Sequence, residues 1–215
     1  MSKSLHLINK INLSFEIKCF EVLIKSYHTC LSNKIYSIDW EEKTFSSHLV
    51  SIMKKCKLAK EYEFTITKEE ELEDYEIDNG LKPPNKANPI DIRFHNIWLN
   101  QRLDYNVEAK NISASQWKKT SGSIVNASSQ KKEYITKGID RFLTGHFKNK
   151  KGCMLAYIVN GSVEEVISRL NGKIEFQKNK SEIIFYDNLS VSKLKIFQSN
   201  HTNRNLKHLF FDFVN

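Results

Sequence analysis

The sequence predicts an α/β domain, a mixed central sheet of about five or six strands flanked by helices. Three observations lead there. Residues 152–159 (GCMLAYIV) are almost wholly apolar, the composition of a strand covered on both faces. Short alternating or β-branched runs bounded by turn residues recur before and after that stretch. Between the runs lie apolar stripes of helical period with start and stop signals.

At 215 residues and 25.1 kDa the chain suits one domain with a sizeable core. It divides into a packing helix (1–36), a core (38–157), and a C-terminal helix with closing strands (158–215). An apolar fraction of 40% with 11% aromatic residues excludes a disordered chain. The net charge of +8 and pI of about 9.2 favour a polyanionic partner, nucleic acid above all. No apolar run approaches the length that spans a bilayer and no signal peptide opens the chain, so a cytoplasmic protein without membrane association is expected. Cys19, Cys30, Cys56 and Cys153 are scattered without a CxxC pair, the pattern of reduced, mostly buried thiols. Zinc-site spacing, a glycine-rich phosphate loop, a dinucleotide fingerprint and a Ser-His-Asp order are all lacking.

In chain order, Leu13, Ile17, Phe20, Leu23, Ile24 and Tyr27 form the stripe of a first helix over 5–31. Asp39 is the expected N-cap of a second, whose stripe is Phe45, Leu49, Ile52, Met53 and Cys56. On a helical wheel Glu42 lies about 36° from the centre of that stripe and Glu41 about 64°, so Glu42 leans further toward the core. Residues 63–67 (EFTIT) read as a strand. Residues 69–78 then hold seven acids and no base. That run is either a solvated edge that discourages aggregation or a phosphate mimic lying over a basic face.

Residues 113–129 are polar and turn-rich, and Trp117, Lys118 and Lys119 within them either line a nucleic-acid groove or sit on a surface loop. A third helix is expected over 128–143, closed by Gly145, with Ile135, Ile139, Phe142 and Leu143 inward. Gln130, Tyr134 and Arg141 share a neighbouring face of it. Ser162 and Glu165 form a capping box for a helix over 163–170. Residues 182–186 (EIIFY), 194–198 (LKIFQ) and 206–214 (LKHLFFDFV) complete the sheet, with His201 and Arg204 in a polar loop.

The chemistry concentrates in residues 88–111 (NPIDIRFHNIWLNQRLDYNVEAKN), which read as two strands. Glu108 and Lys110 project to one face and Ala109 to the other. A tight turn at Asn100-Gln101 would set Asp91 opposite Lys110 and diagonal to Glu108, about 5–8 Å apart. Two adjacent carboxylates repel, and one takes a proton unless a cation lies between them. A divalent metal is the natural cation, and Lys110 is then left for chemistry.

Pro89-Ile90-Asp91 followed by Glu108-Ala109-Lys110 resembles the signature of the PD-(D/E)XK nuclease superfamily over about residues 38–157, with Asp91 one position late. The resemblance implies a restriction-endonuclease-like sheet and a metal-dependent endonuclease that hydrolyses phosphodiester bonds, DNA ahead of RNA, in a bacterial or phage defence or restriction role. It implies Mg²⁺, with Mn²⁺ substituting, held by Asp91, Glu108 and the Ala109 carbonyl. Lys110 would orient or deprotonate the attacking water and Glu42 would be a third, helical acid. Gln130, Tyr134 and Arg141 would stand near the scissile phosphate, with Lys118, Lys119, Lys131, Lys132 and the basic run 148–151 adding phosphate contacts. No separate base-reading module is present, so specificity would come from a homodimer or a partner protein. The alternatives are a catalytically inactive nuclease-fold subunit that binds nucleic acid or a partner protein, and an unrelated α/β interaction protein whose acidic run holds a basic partner.

Overall fold

The sheet grows outward from the apolar run at residues 152–160, whose side chains are buried from Gly152 to Val159. The computed structural model of the chain describes residues 3–70, 90–98, 101–144, 147, 151–177 and 180–214. Its elements are α1 (Lys3–Asn33), α2 (Glu42–Lys55), α3 (Lys57–Glu61), β1 (Thr65–Glu70), β2 (Ile90–Trp98), β3 (Gln101–Ser113), the two-residue strands β4 (Trp117–Lys118) and β5 (Ile124–Val125), α4 (Ala127–Glu133), a π-helical segment (Tyr134–Ile139), α5 (Asp140–Leu143), β6 (Gly152–Asn160), α6 (Val163–Gln177), a 3₁₀ turn (Lys180–Glu182), β7 (Phe185–Val191), β8 (Leu194–His201) and β9 (Arg204–Asp212). No described helix is long and apolar enough to cross a membrane.

Seven strands form one mixed sheet in the order β1-β2-β3-β6-β9-β8-β7. The centre is parallel, β6 running with β3 on one side and β9 on the other, and both flanks are antiparallel. Side chains alternate across β6 and so divide the core in two. Cys153, Leu155, Tyr157 and Val159 join α1 and α2 on one face, with Ala109, Leu209 and Phe211. Met154, Ala156 and Ile158 join the π segment, α5 and α6 on the other, with Ile112 and Phe210. A Cβ at Gly152 would collide with the carbonyl oxygen of Asn106, which is why the smallest residue opens β6 beside β3.

The α/β class with a flanked mixed sheet stands as expected, with seven strands among the described residues rather than five or six. Strand β1 starts at Thr65 because Glu63 has a φ of 54°, outside any extended conformation. The acidic run lies, beyond β1, outside the described residues, as do Pro89 and Gly145. The 128–143 helix is three pieces, α4, the π segment and α5, with Asn126 rather than a later residue accepting from Ser129 N at its start. Residues 182–186 divide between the 3₁₀ turn and β7, which runs on to Val191. The capping box holds: Ser162 N donates to Glu165 Oε2 (3.0 Å) and Glu165 N to Ser162 Oγ (3.2 Å), and the helix continues to Gln177. Cys19, Cys30 and Cys153 are buried free thiols, and Cys56 is half-buried.

Candidate functional site

Strands β2 and β3 pair antiparallel from Ile92↔Val107 to Trp98↔Gln101, so paired residues sum to 199. Gln101, expected in a tight turn with Asn100, is instead paired with Trp98 in β3. Carried one pair further, this register sets Asp91 opposite Glu108 instead of Lys110. The slip is of two positions, and a two-residue slip keeps every side chain on its face. Convergence survives for that reason.

Lys110 is the hub. Its Nζ donates to Glu108 Oε1 (2.8 Å), Glu42 Oε1 (3.0 Å) and the Ala109 carbonyl (2.6 Å), and stands 3.7 Å from Asp91 Oδ2. Asp91 is fixed in turn by accepting from Ala109 N at 2.7 Å. Arg141, reaching in from α5, donates to the same Glu108 Oε1 at 2.5 Å. The Glu108 side chain is wholly buried, those of Lys110 and Asp91 are 9% and 15% exposed, and that of Glu42 is 29% exposed. The cluster thus has a floor at Glu108 and opens past Glu42.

Two ties hold the start of α2 in place. Asn111 Nδ2 donates to the Trp40 carbonyl at 2.8 Å, next to Lys110 on β3. From the loop between β4 and β5, Lys119 Nζ donates to the Asp39 carbonyl and to Glu41 Oε1, both at 3.0 Å. Thr120 donates to the Asp39 carboxylate through its backbone N–H and its hydroxyl. Asp39 is accordingly a clamp for that loop, and Glu41 stands at the N-cap position without a side-chain cap bond.

Burial dominates the electrostatics. It drives the Glu108 carboxyl up to about 7, against the pull of Lys110 and Arg141 and with a further push from Asp91. Glu42 is raised for the same first reason, with Lys110 again opposing. Burial alone would depress the Lys110 ammonium, but Glu108, Asp91 and Glu42 together outweigh it and raise it. The geometry decides for the lysine: three acceptors surround it, so Lys110 is an ammonium, and the burial cost falls on Glu108.

Among the described residues no group of three or more Asp, Glu, His or Cys side chains forms a ready metal cage. The residues nevertheless fit Mg²⁺. Glu108 Oε2 is buried with no hydrogen-bond partner among the described residues, while Oε1 serves two cations. Asp91, Glu108 and the Ala109 carbonyl are hard oxygen donors around one point, and Mg²⁺ needs only one or two carboxylates because it keeps several waters.

The other expected contact residues part company. Arg141 donates to Glu108, Lys119 is engaged with Asp39 and Glu41, and Lys118 is exposed on β4. Gln130 is half-buried. Tyr134 is a correction: it is fully buried, its hydroxyl is 2.9 Å from His208 Nδ1, and it presents nothing to a nucleic acid. Asn111 escaped the sequence reading and left no signal. Lys131, expected among the phosphate-contacting lysines, instead sits one helical turn before Ile135 on the apolar stripe and is buried with Nζ donating to the carbonyls of Ser113 (2.8 Å) and Ala114 (3.0 Å). No protein-family model, curated protein or solved structure matches the chain significantly.

Proposed function

We propose that the chain is a metal-dependent nuclease of the PD-(D/E)XK type, cutting phosphodiester bonds in DNA ahead of RNA. One observation carries the reading: Asp91, Glu108, Glu42 and the Ala109 carbonyl, drawn from β2, β3 and α2, all stand within 3.7 Å of the Lys110 ammonium. The chain's charge of +8 suits a polyanionic substrate.

Asp91, Glu108 and the Ala109 carbonyl would hold Mg²⁺. Bound there, the ion supplies charge neutralisation at the scissile phosphate and a more acidic water. Lys110, carried into the cluster by β3, would donate to the oxygen on which charge develops. Glu42 keeps Lys110 at the open side of the cluster. Arg141 holds Glu108 from the other side, which fixes the carboxylate's orientation. Lys118 offers a phosphate contact that gives affinity without sequence preference.

The inactive-subunit reading has one observation in its favour: every Lys110 donor is already taken within the chain. Supercoiled plasmid, single-stranded DNA and RNA, each incubated with Mg²⁺, Mn²⁺ or EDTA, separate the two. The nuclease reading expects cleavage that needs the metal and disappears in Asp91→Ala and Lys110→Ala. Cutting that survives EDTA or either substitution contradicts it, and a gel shift without cutting favours the binding subunit.

A further inference from the structure

An ammonium has three N–H donors. Those of Lys110 are spent on Glu108 Oε1, Glu42 Oε1 and the Ala109 carbonyl, so none is left for a water or a phosphate oxygen. Two of these three acceptors are the oxygens that suit a metal. The fourth neighbour, Asp91 Oδ2, is 3.7 Å away, too far for a hydrogen bond, and is occupied by Ala109 N. Meanwhile Glu108 Oε2 is buried without a partner among the described residues. The lysine thus sits where the donor set converges, and leaves one buried oxygen unserved.

We propose that Lys110 is the resident counter-cation of this site and yields its place to a divalent ion, so that metal uptake and release of the ammonium toward substrate are one event. The proposal rests on the metal-dependent reading above. It makes the metal-free chain inert by construction, because the group needed to meet the substrate is held by the groups needed to bind the ion. Once Glu108 and Ala109 are given up, Lys110 keeps Glu42 as its anchor and has two donors free. Glu42, the most exposed of the three acids, stands on the side toward which the ammonium must move.

Calorimetric titration of Mn²⁺ tests the competition. Lys110→Met should bind Mn²⁺ at least about tenfold more tightly than the wild type, because a unit charge a few ångströms from the ion is removed. Lys137→Met removes an equal charge from a lysine paired with Glu133 on the π segment, and should leave Mn²⁺ affinity at the wild-type level. A second measurement uses the unaltered protein. The Lys110 ammonium protons, all hydrogen-bonded, should give a slowly exchanging ¹⁵N–¹H signal without metal and lose it at saturating Mg²⁺. If Lys110→Met does not fold, that signal decides. Wild-type binding with no gain in Lys110→Met, or an ammonium signal that Mg²⁺ leaves unchanged, overturns this proposal alone. An absence of Mn²⁺ binding in both proteins overturns it together with the metal-dependent reading.

Discussion

The carboxylates around Lys110 and a hydrogen-bonded chain from Tyr134 to Glu182 are both buried against one sheet, yet their donors and acceptors balance differently. Glu108 and His208 even share a row of that sheet, with Met154 of β6 between them. In the second network Tyr134 Oη meets His208 Nδ1 (2.9 Å), and His208 Nε2 meets Ser199 Oγ (2.8 Å). Ser199 Oγ meets His201 Nε2 (2.8 Å), and His201 Nδ1 meets Glu182 Oε2 (2.9 Å). With Glu182 ionised, one proton arrangement satisfies every link: His201 donates to Glu182, Ser199 to His201, His208 to Ser199 and Tyr134 to His208. Burial, with His201 adding, lowers His208 to about 3, so it is neutral as that arrangement requires. The Lys110 cluster has no such balance. It sets three carboxylates against Lys110 and Arg141 and leaves Glu108 Oε2 without a partner among the described residues. A closed network stabilises a fold, whereas an unbalanced buried one costs stability and makes sense as a place for something else to bind.

The largest effect that separates the two is on turnover. Asp91→Ala should lower metal-dependent cleavage of a labelled oligonucleotide by roughly 10²–10³-fold or more, as loss of a group acting on the transition state does. Ser199→Ala should cut at the wild-type rate. Equal losses in both would erase the distinction.

Stability should rank them the other way. Ser199→Ala removes the hydroxyl that meets both His201 Nε2 and His208 Nε2 and should cost about 1–3 kcal/mol in urea unfolding. Asp91→Asn keeps an acceptor for Ala109 N and removes a like charge beside Glu108, so its melting temperature should match or exceed the wild type's.

The pH dependence sharpens the contrast because the signs oppose. Glu108 is raised above its ordinary 4.5 to about 7, so the stability it allows is full below pH 4.5 and is lost as pH rises to about 7. His208 is lowered from 6.5 to about 3, so its contribution is full above pH 6.5 and is lost as pH falls toward 3. Unfolding free energies measured across pH 3–8 should show Glu108→Gln reducing the loss on the rising side, to which Glu42 also contributes, and leaving the acid side intact. A variant with both limbs unchanged would mean that Glu108 does not carry the first.

The smallest effect belongs to the clamp on α2. Glu41 is 81% exposed, which leaves the bond from Lys119 to the Asp39 carbonyl as the main loss, so Lys119→Met should cost about 1 kcal/mol in the same unfolding assay.

How much of this was legible in the sequence follows the range of the interactions. Period-two and helical patterns are local, so β6, the α2 stripe, the capping box and the shared face of Glu108 and Lys110 could all be read. Asp91 and Lys110 were brought together correctly although the turn was misplaced, because an even slip preserves faces. The clamp of Asp39 by Thr120 and the burial of Tyr134 against His208 could not be read, since their partners lie 81 and 74 residues away. The bond between Arg141 and Glu108 could not be read for the same reason: Glu108 is 33 residues earlier, and only the packing of α5 on the sheet brings them together. The π segment over 134–139 escaped because it alters the phase of a helix whose apolar stripe still reads as continuous.

A crystal structure grown with Mn²⁺ tests the central claim most directly. The account predicts an anomalous peak bounded by Asp91, Glu108 and the Ala109 carbonyl, with Lys110 Nζ withdrawn toward Glu42. A lysine still held by Glu108 and Ala109, with the peak elsewhere or missing at saturating Mn²⁺, would contradict it.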